Sequence, residues 1–228
     1  MMFQDRADAA ARLADALSTY HGSHPMVLAI PRGAVPMGRI VADRLGGELD
    51  VVLVRKLGAP WHAELAVGAV DESGWIYVTP FAEAVGASPA YIEEERNGQL
   101  ALLRQRRALY TPRRSAYPLG GRTVIVLDDG LATGATMIAA LHAARQQQPA
   151  RLICAVPVAA PDSLALVRGH ADEVVCLYAP ASFRAVGEHY QAFAQVDDSE
   201  VVACLAGDAA AGHPKPARPL RRQRGGTA

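Results

Sequence analysis

The stretch from Thr123 to Met137, TVIVLDDGLATGATM, constrains the fold more than any other part of the chain. Val124, Ile125, Val126 and Leu127 form a short apolar run of mostly β-branched residues, which suits a strand covered on both faces. Asp128 and Asp129 end the run. Gly130 to Thr136 then leads into a helix, because Met137, Ala140, Leu141 and Ala144 recur at i, i+3, i+4 and i+7. Strand, acidic pair, a loop of glycines and hydroxyls, and helix follow in that order.

Each part has a chemical use. The last residues of a parallel strand face the crevice where ligands bind, so Asp128 and Asp129 can accept hydrogen bonds from vicinal hydroxyls or hold a hydrated Mg²⁺. They are poor partners for a phosphate. Its place is further on, where Gly134 lets the backbone approach and Thr133 and Thr136 offer hydroxyls. There the helix start also presents unpaired N–H groups and a positive dipole end. Together these features describe a site for a sugar carrying a phosphate. A Walker A loop is excluded by the lack of Gly-Lys-Ser/Thr, and the glycine spacing of a dinucleotide fingerprint is missing too.

The stretch resembles the ribose-phosphate-binding motif of the type I phosphoribosyltransferases, two acidic residues followed by a Thr-Gly-x-Thr loop. It is most similar to the form with Ala before Thr-Gly seen in the adenine enzymes. The resemblance implies that Asp128 and Asp129 hold the ribose 2- and 3-hydroxyls of phosphoribosyl pyrophosphate. It also implies that Ala132, Thr133, Gly134, Ala135 and Thr136 cradle the 5-phosphate.

A second unit has the same plan. Met26 to Ile30 is a short apolar strand, Pro31, Arg32, Gly33 and Ala34 follow, and Met37, Ile40, Val41 and Leu45 mark the inner face of a helix. Arg32 offers a fixed fork of donors suited to phosphate oxygens, and Gly33 removes a side chain that would block close approach. Arg32-Gly33 looks like the family's pyrophosphate loop. Asp50 to Val54 reads as another continuous apolar strand, leading to Arg55 and Lys56. That pair is similar to the start of the mobile loop of the orotate and adenine enzymes. By resemblance Lys56 would neutralise the leaving pyrophosphate, with Arg55 alternatively at a subunit interface. The implied catalytic set is Arg32, Lys56, Asp128 and Asp129, and the pyrophosphate set is Arg32, Gly33 and Lys56. Mg²⁺ is the implied cofactor, carried by the ligand and touched by Asp128 or Asp129 through water.

The rest of the chain fits an α/β fold, a doubly wound and mainly parallel sheet with helices on both faces. Asp5 caps a first helix bearing Ala10, Leu13, Ala14 and Leu17 on one face, read as packing. Arg151 to Val158 and Glu173 to Tyr178 are further strands, with a helix from Pro161 to Gly169 between them. The segment 61–118 interrupts the alternation. Leu65 to Val70 and Trp75 to Thr79 flank Asp71-Glu72-Ser73-Gly74 as a hairpin, and Ser88 caps a helix running to about Tyr110. The acidic start of that helix, Glu93 to Glu95, and its basic end, Arg104, Arg106 and Arg107, complement the dipole. This insertion is read as a hood or lid, or equally as a dimer arm, and Glu64, Asp71 and Glu72 are its carboxylates to inspect for substrate roles. Phe183, Tyr190 and Phe193 either close over a flat base or pack on the sheet edge.

At 228 residues the chain suits one domain, 1–205, followed by a basic tail, 206–228, whose Ala, Gly, Pro and Arg composition predicts disorder. Formal net charge is zero, which gives no reason to expect nucleic acid or a membrane as partner of the body. No apolar run reaches transmembrane length and no signal-peptide pattern opens the chain, so a cytoplasmic location is expected. Cys154, Cys176 and Cys204 lack metal-ligand spacing and read as free thiols.

The function implied is transfer of ribose 5-phosphate from phosphoribosyl pyrophosphate to a nitrogen acceptor such as a nucleobase, with a homodimer as a further option. The alternatives are a non-catalytic regulatory protein that binds the same donor, and a hydrolase or phosphorylase acting on a phosphoribosylated compound. Hypoxanthine and guanine enzymes carry an Asp just before Thr-Gly to exchange a proton with the purine. Here that residue is Ala132, which counts against a purine of that type.

Overall fold

The computed structural model describes residues 2–112 and 117–210, apart from the side chains of Glu64 and of residues 208–210. Its main sheet contains β1 (Met26–Ala29), β2 (Glu48–Val51), β6 (Thr123–Leu127), β7 (Arg151–Val158) and β8 (Glu173–Tyr178), in the order β2-β1-β6-β7-β8 with every pairing parallel. Side chains along β6 alternate between two cores. Ile125 and Leu127 pack with α1 (Arg6–Ala16) and α2 (Ala34–Leu45), whereas Val124 and Val126 pack with α4 (Ala135–Arg145). All four are fully buried, which is why the run is continuously apolar. Each such side chain contributes about 1.5–3 kcal/mol by leaving water.

Register and connectivity locate the crevice. Ala29 lies level with Leu127, and Leu127 with Ala155, so β1 and β6 end side by side. From β1 the chain steps outward to β2; from β6 it steps the other way, to β7, then through α5 (Pro161–Val167) to β8. Adjacent strands whose connections depart in opposite directions leave an opening between their ends. Pro31 to Gly33 and Asp128 to Asp129 flank that opening.

The apolar run from Asp50 to Val54 is not one strand. β2 ends at Val51, and β3 (Val54–Ala59) belongs to a separate antiparallel sheet with β4 (His62–Asp71) and β5 (Ile76–Val78). Val51, Val52, Leu53 and Val54 are all buried along the crossing, so their hydrophobicity reports burial between two sheets rather than continuous pairing. The hood therefore starts at Val54 instead of Trp61, and Arg55 and Lys56 are strand residues within it. Its helix, α3 (Pro89–Tyr110), is capped by Ser88, whose side chain accepts from the Tyr91 N–H, and buries Ile92, Leu103 and Tyr110.

Both expected hood carboxylates with described side chains are structural. Asp71 is fully buried and accepts from Ser73 N at 2.8 Å, Ser73 Oγ at 2.5 Å and Trp75 N at 3.1 Å. Its other oxygen lies 3.3 Å from His142 Nδ1 on α4, and the Trp75 ring stacks on that imidazole at 3.7 Å. Glu72 pairs with Arg107, which also donates to the Val51 carbonyl at 3.2 Å. The basic end of α3 thus does more than complement the dipole: Arg107 fastens helix, hairpin and crossing together. Glu64 falls among the undescribed side chains.

At the other end, Phe3 N donates to the His189 carbonyl and Gln191 N to the Phe3 carbonyl, tying the two ends of the domain together. The last helix, α6 (Asp198–Ala210), continues past residue 206, where a disordered tail was expected to begin; the basic residues 215–224 lie outside the described chain. Ala residues in an Ala-rich segment favour helix once one face can pack, and Val201 and Leu205 supply that face. Among the described residues no helix is long and apolar enough to cross a membrane.

Asp71 accepts three hydrogen bonds within the hairpin turn and meets the core at His142, so Asp71→Ala should lower stability by about 2–3 kcal/mol and speed proteolysis within 60–80. Chemical denaturation and limited digestion measure both. A loss below about 1 kcal/mol, within the ordinary range of one hydrogen bond, would contradict this anchoring role.

Candidate active site

The site is assembled where β6 stops. Leu127 is the last strand residue, Asp128 and Asp129 follow, and Leu131 is pinned by a backbone bond to the Val158 carbonyl at 2.9 Å. Ser163 Oγ holds the Ala132 carbonyl at 2.5 Å. Gly134 adopts the left-handed conformation, φ +77°, and starts α4 with no side chain capping its first turn. The loop is therefore fixed from behind while its amides stay available in front. Asp128, Asp129, Ala132, Thr133, Gly134 and Thr136 line a cavity of about 310 Å³ together with Pro31, Gly33, Lys56 and Val186. Ala135 is fully buried in the core against α4's own side of the sheet, so only its backbone can serve the loop.

Asp129 is the point on which several segments converge. Arg6 of α1 donates to Asp129 Oδ2 from Nε at 2.9 Å and lies 2.8 Å from it through Nη2. The same guanidinium reaches the Ala194 carbonyl at 2.5 Å and sits 3.8 Å over the Phe193 ring. Tyr190 donates to the Asp129 carbonyl at 2.7 Å, and its ring packs between Phe3 and Phe193. A Cβ on Gly33 would lie 2.3 Å from Asp129 Oδ2, which only glycine permits. Asp129 N donates to Asp128 Oδ1 at 2.9 Å.

The electrostatics follow from this enclosure. Burial pushes the Asp128 carboxyl well above the usual range, and the adjacent Asp129 charge pushes it further. The Asp129 N–H, Lys56 and Arg6 pull it back. Burial also raises Asp129, opposed by Arg6 and Lys56. Burial and the two carboxylates push the Tyr190 hydroxyl up. Lys56, exposed on β3, is thus close enough to act on both acids.

Arg32 is placed differently from its neighbours. Pro31 and Gly33 face the cavity, but the Arg32 guanidinium points toward α6, 3.9 Å from Asp198, whose carboxylate accepts the Tyr110 hydroxyl at 2.5 Å. The Pro31–Arg32 peptide is cis. The sequence does not single out Arg6 or Ala194 for the site. Arg6 lies 123 positions from Asp129, in a helix whose pattern announces packing alone. Tyr190 and Phe193 do pack, as one of their two readings expected, and they pack on the acidic pair's support.

A family model described as the phosphoribosyl transferase domain matches residues 2–192. The chain belongs to this family. It is 42% identical over 205 residues to a protein of Mycobacterium tuberculosis, provisionally named a phosphoribosyl transferase in two strains. The match covers 90% of this chain but 46% of that protein, so the chain spans about half the length of these relatives. The crystal structure of TT1426 from Thermus thermophilus superposes with a TM-score of 0.76 at 45% identity, covering 91% of this chain and 99% of that one.

Within this phosphoribosyl transferase domain the acidic pair also suits a divalent cation held largely by its ligand. Asp128 and Asp129 offer hard oxygens at the cavity wall, while no group of three or more His, Cys, Asp or Glu gathers into a metal cage among the described residues.

The raised acids make a stability prediction. A folded-state pKa above the unfolded value means the folded state binds protons more tightly, so stability falls as pH rises through that window. Asp128→Asn removes the larger of the two shifts. It should raise Tm relative to wild type at pH 7–8, with the gap closing as pH falls toward the ordinary carboxyl value of 3.8. Thermal melts across pH measure this, and a gap that widens toward acid would contradict the assignment.

Proposed function

We propose that this domain transfers ribose 5-phosphate from phosphoribosyl pyrophosphate to a nitrogen nucleophile of a small acceptor, releasing pyrophosphate. The observation that carries the reading is one cavity lined by two adjacent carboxylates, the Thr133–Thr136 loop and Lys56. Few ligands need all three. Carboxylates match the ribose hydroxyls, the loop amides and hydroxyls match the 5-phosphate, and a cation matches the leaving group.

The residues then have separate tasks. Thr133, Gly134 and Thr136 fix the phosphate end, and Asp128 and Asp129 fix the sugar, so that the anomeric carbon is presented in one orientation. Arg6 opposes the upward push of burial on the Asp129 carboxyl and aims it by occupying one of its oxygens. As the bond from the anomeric carbon to pyrophosphate lengthens, positive charge develops on the sugar, which the two carboxylates face, and negative charge on pyrophosphate, which Lys56 faces. Mg²⁺, carried by the donor's oxygens and touched by the acidic pair, would supply further neutralisation there. The Arg32 guanidinium is held among the described residues by nothing shorter than its 3.9 Å approach to Asp198, too long for a hydrogen bond, so an arriving pyrophosphate can recruit it. The new C–N bond forms at the same carbon. Ala132 offers the acceptor no proton-exchanging group, which favours an acceptor other than one using the purine contact described above.

Calorimetric titration with phosphoribosyl pyrophosphate, with and without Mg²⁺, followed by an acceptor screen for pyrophosphate release, tests the proposal. Mg²⁺-dependent binding and release with one acceptor are expected. Arg32→Ala and Lys56→Ala should each weaken the donor or its turnover by about tenfold or more while leaving ribose 5-phosphate affinity within about twofold. Equal losses for both ligands would remove these residues from the pyrophosphate side. Binding without release for any acceptor would favour a regulatory role, and absence of binding would refute the reading.

A further inference from the structure

The hood carries positive charge that the 310 Å³ crevice does not use. Between the β3–β4 hairpin and α3 lies a second cavity of about 760 Å³, which meets the first at Pro31, Lys56 and Thr136. Arg55, Lys56 and Arg106 line it, against one described carboxylate, Glu95. That carboxylate is engaged: Gln99 Nε2 donates to Glu95 at 2.9 Å, and Gln99 Oε1 accepts from Arg55 Nε at 2.7 Å. The chain Arg55–Gln99–Glu95 fixes one guanidinium in the cavity wall.

Arg106 lines the same cavity as that guanidinium. Burial, and then the Arg106 charge, lower the Arg55 pKa, so the two cations are near enough to repel in a partly dry wall. Arg106 makes no hydrogen bond or ion pair among the described residues; its charge is felt by Arg55 and by Tyr110. The helix dipole explains a cation in the last turns of α3, but exposed Arg104 answers that need equally well. It does not explain why Arg106 lines a cavity that already holds a second cation. Two guanidiniums on one cavity, one of them unpaired among the described residues, are stabilised when an anion bridges them.

We propose that Arg55 and Arg106 form a binding site for an oxyanion, a phosphate or carboxylate group, contributed by the inserted helix and hairpin rather than by the sheet loops. The site adds a residue of the inserted helix to the phosphoribosyl reading, and it rests on that reading where the donor supplies the anion. Two sources present such a group beside Lys56: the pyrophosphate end of the donor, and an acceptor that itself carries a phosphate or carboxylate.

The test is calorimetric titration of the full chain with inorganic pyrophosphate in the presence of saturating ribose 5-phosphate, for wild type, Arg106→Gln and Arg106→Lys. Arg106→Gln should weaken pyrophosphate by about tenfold or more and flatten its salt dependence, Arg106→Lys should recover part of the loss, and ribose 5-phosphate affinity should stay within about twofold of wild type. Tm of Arg106→Gln should not fall, because Arg106 has no partner among the described residues to lose and its neutralisation relieves the repulsion with Arg55. Unaltered pyrophosphate affinity in Arg106→Gln, or an equal loss for ribose 5-phosphate, would overturn the site. Repeating the comparison with phosphoribosyl pyrophosphate separates the sources: a matching loss assigns the anion to the donor, and an unchanged affinity assigns it to another ligand. Failure of ribose 5-phosphate to bind wild type would count against the phosphoribosyl reading alone, since the pyrophosphate comparison between variants is still read.

Discussion

Two adjacent carboxylates at the end of a buried central strand are the constraint to which the surrounding structure answers. An ionised group removed from water costs several kcal/mol unless it is paired and hydrogen-bonded. Asp129 gains two contacts from Arg6 on one oxygen, and Asp128 gains the Asp129 amide. Those partners come from opposite ends of the domain. α1 carries Arg6, the segment after β8 carries Tyr190, Phe193 and Ala194, and the Phe3–Tyr190 bridge locks the two together. Even Gly33 belongs to this arrangement, because its missing side chain leaves room for Asp129. The compensation is partial, as the upward shift of both acids indicates, so the fold holds part of the cost of charge in a place where a ligand can relieve it.

The sheet makes this arrangement possible. Parallel pairing of β1 with β2 and β6 brings the ends of three strands level, and the reversal of connection between β1 and β6 leaves the opening above them. The hood is fastened at its base, by Asp71 and Trp75 on His142 and by Arg107 on Glu72 and Val51, while Trp61 at the tip is 94% exposed. Its charged residues thus divide into those that anchor it, such as Arg107, and those that look into the cavities, such as Lys56 and Arg106.

Local structure is legible in the sequence wherever one segment contains the whole signal. The strand, acidic pair, loop and helix from Thr123 to Arg145 lie within a single βα unit, and so does the unit from Met26 to Leu45. What was not legible depends on contacts between distant segments. Arg6 looks like any polar residue on an amphipathic helix until Asp129 is beside it. The run from Val51 to Val54 is apolar for burial between two sheets, and hydrophobicity alone does not distinguish that from a strand. Arg104, Arg106 and Arg107 read as one basic helix end, although the turn of the helix sends them to solvent, cavity and clamp.

The most direct test of the central claim is a crystal structure of the protein with ribose 5-phosphate. The account predicts the phosphate against the backbone and hydroxyls of Ala132–Thr136, with the 2- and 3-hydroxyls on Asp128 and Asp129 and the Arg6–Asp129 pair intact. Phosphate bound elsewhere, or a sugar that leaves both carboxylates untouched, would contradict it.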